Sequence, residues 1–282
     1  MRKLLSSLLF LPILGVNAQV SSDVKSDFNA MFRDSTLRID YNFTGTSQTQ
    51  EIALDELHVS KGWYGRRVNM QKLPLAGNGQ IVMKDSQSGR EIYKASFSTL
   101  FQEWQTSEEA TQVRKSFENT FQLPFPRRDA KVEVTLFNTH REPIYKFEHQ
   151  VKVDDILIRP LPTLPQHPYK YIHHGGESNK CIDVAIVAEG YTAAESNVFY
   201  ADAERATQEI LKYKPFSDFK DRFNFVAVAV PSLESGVSIP HNNDWKQTAL
   251  HSNFDTFYSK RYLTTLKLKA LNDALAGVPY EH

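Results

Sequence analysis

The chain has 282 residues, and its 33 basic side chains balance its 33 acidic ones. This neutral balance argues against a nucleic-acid partner, because contacts to phosphates need clustered lysine and arginine. The single cysteine, Cys181, excludes a disulfide scaffold and a zinc module built from several cysteines. An apolar content of 41% at this length predicts one large globular domain or two small ones.

The first 18 residues have the pattern of a secretory signal peptide. Met1-Arg2-Lys3 is a short basic region, Leu4 to Val16 is an apolar run, and small side chains precede the expected cleavage after Ala18. The apolar run is too short to span a bilayer, and no later run of 18 apolar residues occurs. The pattern predicts a soluble protein without a membrane span, exported to the periplasm or the medium. A buried N-terminal helix is the alternative.

Residues 19–159 are predicted to form an antiparallel β-sandwich. Thr36 to Phe43 and Lys131 to Phe137 alternate apolar and polar side chains, and turn-forming clusters such as Ala76-Gly77-Asn78-Gly79 separate the strands. Alternation of this kind is typical of antiparallel strands that are covered on one face.

One helical insertion is predicted within this sandwich. Ser107-Glu108-Glu109-Ala110 resembles a capping sequence, and Val113, Phe117 and Phe121 recur on one helical face. Pro124 is expected to end the helix.

Four prolines between residues 160 and 168 predict an extended connector, so residues 160–170 are interpreted as the domain boundary. Residues 171–282 then follow an α/β pattern. Cys181 to Ala188 and Phe223 to Val230 are nearly continuous apolar runs, as in strands buried on both faces.

The helix between these strands is predicted to begin at the capping box of Thr192 and Glu195 and to continue to about Lys212. Its inner face is expected to carry Phe199, Ala203, Ala206 and Ile210. Strand, helix and parallel strand together form a right-handed βαβ unit.

A last helix is predicted from about Thr264 to Ala276, before Gly277. Two buried strands need further neighbours, and Tyr280 to His282 lies where another strand would begin. We therefore expect an incomplete α/β domain.

Polar and aromatic side chains follow the first of these strands. Glu189 and Tyr191 lie at its carboxyl end, the edge where open α/β sheets bind ligands. Glu189 could contact a ligand, cap the backbone or pair with a basic side chain such as Arg205. His241 and Trp245 belong to a polar loop that is either a ligand or metal site or a solvated turn. Glu189, Tyr191, His241 and Trp245 are the candidate substrate-side residues of a cleft.

The segment His173-His174-Gly175-Gly176-Glu177 allows three interpretations. It resembles the oxyanion loop of lipase-like hydrolases, but the required Gly-x-Ser-x-Gly elbow is absent, since Gly236 to Pro240 lacks the last glycine. Its two histidines and Glu177 are suitable zinc ligands, although the glycines prevent a helical spacing. A polar glycine turn is the simplest interpretation.

Aromatic side chains of the first half suggest a different class of function. A glycan-binding platform could be formed by Trp63, Tyr64, Phe97, Phe101 and Trp104, although core packing is the simpler explanation. The alternative function is therefore a non-catalytic envelope protein or a glycan-binding β-sandwich.

Several blocks of the second half follow one another in a family-specific order: Ile182 to Thr192, Tyr200 to Ala203, Lys214 to Phe216, Asp221 to Asn224, Val228 to Val237, Trp245 to Leu250 and Arg261 to Thr265. These blocks resemble the IgA-peptidase family of bacterial zinc metallopeptidases. The first half resembles the β-rich N-terminal domain of the Bacteroides-type members.

The resemblance implies a zincin-like fold and a zinc-dependent endopeptidase that acts on proteins or peptides. The family's chemistry uses a helical His-Glu-x-x-His motif, whose histidines bind zinc and whose glutamate is the general base. That motif is absent from the 282 residues. We therefore expect a chain truncated before the motif, with no catalytic or metal residues, no tightly bound zinc and no peptidase activity of its own. The substrate and the oligomeric state are not predicted.

Overall fold

The computed structural model describes residues 28–73 and 75–282, so the predicted signal peptide lies outside the described residues. The fold is β-rich and of the α+β class, as predicted. The described residues form three sheets and short helices. In this part of the chain, none of the helices is both long enough and apolar enough to cross a membrane.

The first part of the chain contains two four-stranded sheets, with strand orders β5-β1-β2-β8 and β4-β3-β6-β7. The elements are α1 (Phe28–Met31), β1 (Phe32–Gly45), β2 (Gln50–Lys61), β3 (Gly79–Asp85), β4 (Glu91–Phe97), α2 (Leu100–Trp104), β5 (Lys115–Pro126), β6 (Ala130–Phe137), β7 (Pro143–Val151) and β8 (Arg159–Pro160). The pairs are antiparallel except β2 with β8.

One hydrophobic core lies between these two sheets and is rich in aromatic rings. Leu37, Ile39, Tyr41 and Phe43 of β1 point into it and are 0% exposed. Their spacing of two confirms the alternation of β1 that the sequence predicts.

The opposite face of β1 is also buried, which corrects the prediction of a strand covered on one face. Arg38 and Asp40 lie on this second face and are only 2% and 1% exposed. Helix α4 (Leu268–Ala274) covers it, and its Asp273 forms an ion pair with Arg38. Arg38 and Asp40 therefore belong to an internal charged layer between β1 and α4.

The helix predicted from Ser107 to Pro124 is wrong. One 3-10 turn, Glu109–Thr111, is followed by strand β5, which pairs with β1 along most of its length. Phe117 and Phe121 fit a spacing of four, but with Leu123 and Phe125 they equally fit a spacing of two. Pairing with β1 buries these side chains and decides the outcome. The helix of this region is the shorter α2, capped by the hydroxyl of Thr99.

The third sheet contains the predicted βαβ unit and has the order β10-β11-β9. Strands β10 (Ile182–Val187) and β11 (Phe223–Val228) are parallel, and α3 (Ser196–Ile210) connects them. Strand β9 (Tyr169–His174), not predicted from the sequence, pairs antiparallel with β11.

Strand β10 lies at the outer position of this sheet and is mostly only half-buried, which corrects the prediction of a strand buried on both faces. The last residues of the sequence run beside it. The amide of Ala185 donates to the carbonyl oxygen of His282 at 2.7 Å, and the amide of Glu281 donates to that of Asp183 at 2.8 Å. Residues 281–282 thus continue the hydrogen bonding of the sheet beyond β10.

The buried side of α3 differs from the predicted one. Phe199 and Ala203 are buried as predicted, whereas Ala206 and Ile210 are exposed. The next buried position is Thr207. A constant step of four residues keeps these side chains in one row on the helix surface.

Helix α4 connects the third sheet to the first. Its apolar side packs Ala274 and the following Leu275 against Val226 and Val228 of β11. Its polar side contacts β5, where the amide of Lys269 donates to Glu118 at 3.1 Å. The predicted final helix is confirmed, with a later start than expected.

Candidate functional site

Glu189 lies two residues beyond β10 and holds a neighbouring loop in place. Its Oε1 accepts hydrogen bonds from the hydroxyl of Thr248 at 2.6 Å and the amide of Ser252 at 2.8 Å. Its Oε2 accepts from the amide of Leu250 at 2.8 Å. The carboxylate thus caps the backbone, one of the roles considered from the sequence, whereas Arg205 pairs with Asp202 instead.

Gly190 allows a second loop to approach the same strand end. Its φ of +77° is in the left-handed region, and an added Cβ would lie 2.4 Å from the carbonyl oxygen of Gly236. The buried hydroxyl oxygen of Ser232 accepts from the amides of Gly190, at 3.0 Å, and Ala249, at 2.9 Å. Ser232 therefore joins the strand end to both loops.

Tyr191 turns away from Glu189 and toward α3. Its hydroxyl donates to Asp202 at 2.7 Å, and its ring centroid lies 5.5 Å from that of Phe199. Burial, followed by the hydrogen bond to Asp202, raises the pKa of Tyr191. These contacts orient the helix relative to the strand.

His241 lies in the 3-10 turn Pro240–Asn242 and forms a pair with Asp255. Its Nδ1 lies 2.8 Å from Oδ2 of Asp255, which also accepts from the His241 amide at 3.0 Å. The hydrogen bond from His241 is the main reason why the pKa of Asp255 lies below its ordinary value. With Nδ1 engaged, the other ring nitrogen is available to a ligand.

Trp245 is 64% exposed, unlike most large aromatic side chains of the chain. It follows Asp244, whose carbonyl oxygen accepts from the Ile239 amide at 2.7 Å. The next residue, Lys246, donates its amide to the hydroxyl of Ser238 at 3.0 Å. The indole is thus presented to solvent from a loop with fixed ends.

The four predicted residues do not form one contact group. Within residues 28–73 and 75–282, no hydrogen bond or ion pair joins Glu189, Tyr191 and His241 to one another. Glu189 and Tyr191 are internal contacts of the scaffold, and His241 and Trp245 reach the surface. Ser232, which links the loops, was missed because an isolated serine carries no pattern.

The glycine turn after β9 is fixed by an asparagine that the sequence did not single out. Oδ1 of Asn224 accepts from the amides of Gly175, at 2.9 Å, and Gly176, at 3.2 Å. Its Nδ2 donates to the buried Asp183 at 2.6 Å. Both glycine amides are used internally, which supports the interpretation as a polar turn.

Core packing, the simpler explanation for the aromatic side chains of the first half, holds for three of the five that were considered as a glycan platform. Phe101 and Trp104 are 0% exposed, and Trp63 is 5% exposed. All three belong to the core between the two sheets. They therefore offer no open ring face on which a sugar could stack.

Comparison with known families assigns both parts of the chain. The model of the Peptidase M64 N-terminus matches residues 27–148. The model of IgA Peptidase M64 matches residues 171–282. The chain belongs to the IgA peptidase M64 family. No curated protein matches it.

Membership of this peptidase family confirms the resemblance seen in the sequence. The M64 family is a family of metallopeptidases that depend on zinc in general, and their substrates are proteins. The edge carrying Glu189 and the blocks around it lie within the segment matched to IgA Peptidase M64.

The side chains at this edge do not fit the catalytic zinc of an M64 peptidase. In the described residues, the group of three side chains whose ligand atoms all lie within 4.8 Å of one another is Asp40, Glu56 and His58. These residues belong to β1 and β2, in the segment matched to the Peptidase M64 N-terminus. At the strand edge, His241 has one carboxylate partner, Asp255.

A cleft of about 440 Å³ lies where the two M64 segments meet, away from the four predicted residues. Its walls include Arg38, Trp63 and Tyr64 from the first segment and Leu275 and Tyr280 from the second. Size favours this cleft as a binding site, whereas position at the carboxyl end of parallel strands favours the edge. The cleft is a gap beside helix α4, between elements that α4 already joins, so the edge is the better candidate for a binding site.

Proposed function

We propose that this chain is the substrate-side portion of an exported zinc endopeptidase of the IgA-peptidase type. It comprises the β-sandwich N-terminal domain, residues 19–159, and part of a zincin-like catalytic domain, residues 171–282. The ordered matches of the two family models carry the proposal. The signal-peptide pattern of the first 18 residues supports export to the periplasm or the medium.

We propose further that these 282 residues alone do not hydrolyse peptide bonds. The support is chemical, because the family's reaction needs His-Glu-x-x-His and the sequence does not contain it. The test is incubation of the purified chain with zinc and a fluorescence-quenched casein. We expect no hydrolysis that a chelator suppresses, and chelator-sensitive cleavage by the pure chain would overturn this proposal.

The four residues at the strand edge are proposed to form one wall of the peptide-binding site. Glu189 and Tyr191 act as positioning residues, because their polar atoms bind the loop at residues 248–252 and helix α3. His241 and Trp245 are proposed to contact the peptide, because their rings reach solvent from the same loop.

Trp245 provides a direct test of this wall. The sequence has three tryptophans, and Trp63 and Trp104 are buried, so quencher-accessible fluorescence should come from Trp245. Addition of an unfolded polypeptide that lacks tryptophan is expected to protect this emission from acrylamide.

The control variants are Trp245→Phe, which should lose the quenchable emission, and Tyr213→Phe, which should behave as the parent chain. Tyr213 is 63% exposed and lies beyond the other end of α3. Unchanged quenching in the presence of this polypeptide would count against a peptide contact at Trp245.

A further inference from the structure

The pairing of β1 with β2 brings three metal-ligating side chains to one face of the sheet. Asp40 lies opposite Glu56, and Arg38 lies opposite His58. Glu56 and His58 are two residues apart, so their side chains share that face. Asp40 and His58 are 1% and 6% exposed, which places them beneath the surface.

The ring of His58 is aimed between the two carboxylates, at ion-pair distance from both. Its Nε2 lies 3.2 Å from Oε2 of Glu56 and 3.5 Å from Oδ2 of Asp40. Both ring nitrogens are buried and lack a hydrogen-bond partner. An unsatisfied buried nitrogen is costly, and its position therefore needs an explanation.

These separations agree with the edges of a zinc coordination tetrahedron. Zinc binds histidine nitrogen and carboxylate oxygen at about 2.0–2.2 Å, so two of its ligand atoms lie roughly 3.3–3.6 Å apart. The two distances from the His58 nitrogen, 3.2 and 3.5 Å, lie close to or within this range.

The remaining partners of Asp40 leave the required lone pair free. Arg38 donates from Nε to Oδ1 at 2.9 Å and from Nη2 to Oδ2 at 2.8 Å, and Thr120 donates to Oδ1 at 2.9 Å. A carboxylate accepts about four hydrogen bonds. The unused acceptor position is on Oδ2, the oxygen that faces His58.

The two carboxylate oxygens of Glu56 also have different partners. Its Oε1 lies 2.9 Å from Nη2 of Arg159 on β8, and its Oε2 faces His58. Charged partners that hold the outer oxygen of a ligand are typical of metal sites. Arg38 and Arg159 therefore fix both carboxylates in orientation.

We propose that Asp40, Glu56 and His58 bind one zinc ion, which ties β1 to β2 beside helix α4. An imidazole with two carboxylates suits zinc, whereas calcium and magnesium prefer oxygen ligands throughout. A fourth position is open to water. The proposal revises the expectation that this chain binds no metal tightly, and it is independent of peptidase activity.

The test is a zinc titration of the chelator-treated full chain in competition with a chromophoric chelator at neutral pH. We expect one zinc per chain, and the variant His58→Gln should weaken binding by more than about 100-fold, since loss of even an outer-shell partner costs 10–100-fold. Cobalt in place of zinc should give the visible absorption bands of a tetrahedral site, and His58→Gln should abolish them.

The control is His140→Gln, at an exposed histidine in the turn between β6 and β7, far from both carboxylates in the sequence. It should bind zinc as the parent chain does. Glu56→Gln is the second site variant, because Glu56 is 37% exposed and its replacement disturbs packing least. Failure of the parent chain to bind zinc, or equal zinc affinity in the parent and both site variants, would overturn the proposal.

Discussion

Arg38 joins strand β1 to helix α4 through a 2.6 Å hydrogen bond from its Nη1 to the carboxylate of Asp273. The same guanidinium binds Asp40 through Nε and Nη2. One buried cation is thus shared between a carboxylate of its own strand and one that lies 235 positions further along the sequence. This ion pair fixes α4 on the first sheet.

Replacement of Arg38 should be strongly destabilising. Arg38→Met leaves Asp40, which is 1% exposed, as a buried charge without the two hydrogen bonds from the guanidinium. Removing one member of a buried ion pair costs about 3–5 kcal/mol in the free energy of unfolding. The measurement is urea unfolding at neutral pH.

The control for this prediction is Asp273→Asn at the other end of the ion pair. The side chain of Asp273 is 63% exposed, so its loss should cost no more than about 1 kcal/mol. Equal losses for the two variants would show that Arg38 is not stabilised mainly by Asp40.

Gly190→Ala should destabilise the chain and loosen the loop beside β10. The new Cβ would meet the carbonyl oxygen of Gly236 at 2.4 Å, and φ at this position is +77°. Gly89→Ala is the matched control, because Gly89 has a φ of +70° but no atom within 4 Å of a Cβ.

The control should lose only the backbone preference, about 1 kcal/mol, and Gly190→Ala should lose clearly more. Thermal unfolding of the two variants in parallel measures the difference. The steric explanation fails if both midpoints fall by the same amount.

Glu189→Gln should release the loop at residues 248–252 without changing the size of the side chain. An amide cannot accept on both ends, so the bonds to Thr248, Leu250 and Ser252 cannot all persist. We expect a loss of about 1–3 kcal/mol and faster amide hydrogen exchange at Leu250 and Ser252.

Glu204→Gln serves as the control. Glu204 lies on the exposed side of helix α3, where its carboxylate accepts a hydrogen bond from Gln208 at 3.3 Å. Such a surface replacement should stay within about 0.5 kcal/mol of the parent. If amide hydrogen exchange at Leu250 and Ser252 is unchanged in Glu189→Gln, then Glu189 does not position this loop.

Acidification should weaken the second sheet through Glu133 on β6. Burial raises the pKa of Glu133, but hydrogen bonds from Lys84, Lys131 and Lys146 outweigh it, and the net pKa lies below the ordinary 4.5. A carboxyl with a lowered folded-state pKa stabilises the chain above the unfolded value and loses that contribution as the pH falls through the folded value.

The corresponding measurement compares the parent chain with Glu133→Gln in urea from pH 7 down to pH 3. The parent should be more stable by about 1.5–3 kcal/mol at pH 7, because the lost hydrogen bonds involve charged groups. The gap should close as the pH falls below the ordinary value of 4.5 and through the lowered folded-state pKa of Glu133. A gap that is independent of pH would assign the effect to packing.

The strands that were predicted correctly have an apolar pattern that favours a strand over a helix. In β1 the apolar residues recur at every second position, and in β10 and β11 they are nearly continuous. In β5, Phe117 and Phe121 satisfy both the helical and the strand period, and the choice depends on a distant partner, β1. Local pattern cannot supply that information.

The charged layer beneath α4 shows the same limit for a candidate site. Asp40 is separated by 16 and 18 positions from Glu56 and His58, and none of the three belongs to a ligand motif. Their meeting depends on the register of β1 against β2, which includes a shift between Asp40 and Tyr41. The alternation of apolar residues can set the register of a pair, but it does not reveal an extra residue of this kind.

Helix α4 restricts how the two M64 segments can be exchanged between relatives. Gln122 of β5 contacts Asn272 and Tyr280, and Arg38 of β1 contacts Asp273. A chimera that takes residues 27–148 from another member would inherit a sheet shaped for a different helix surface. Such a chimera should therefore fold only when the residues at positions 272, 273 and 280 are taken from the donor of the sheet. In recombination, α4 and Tyr280 thus belong with the N-terminal module, although they lie in the other segment.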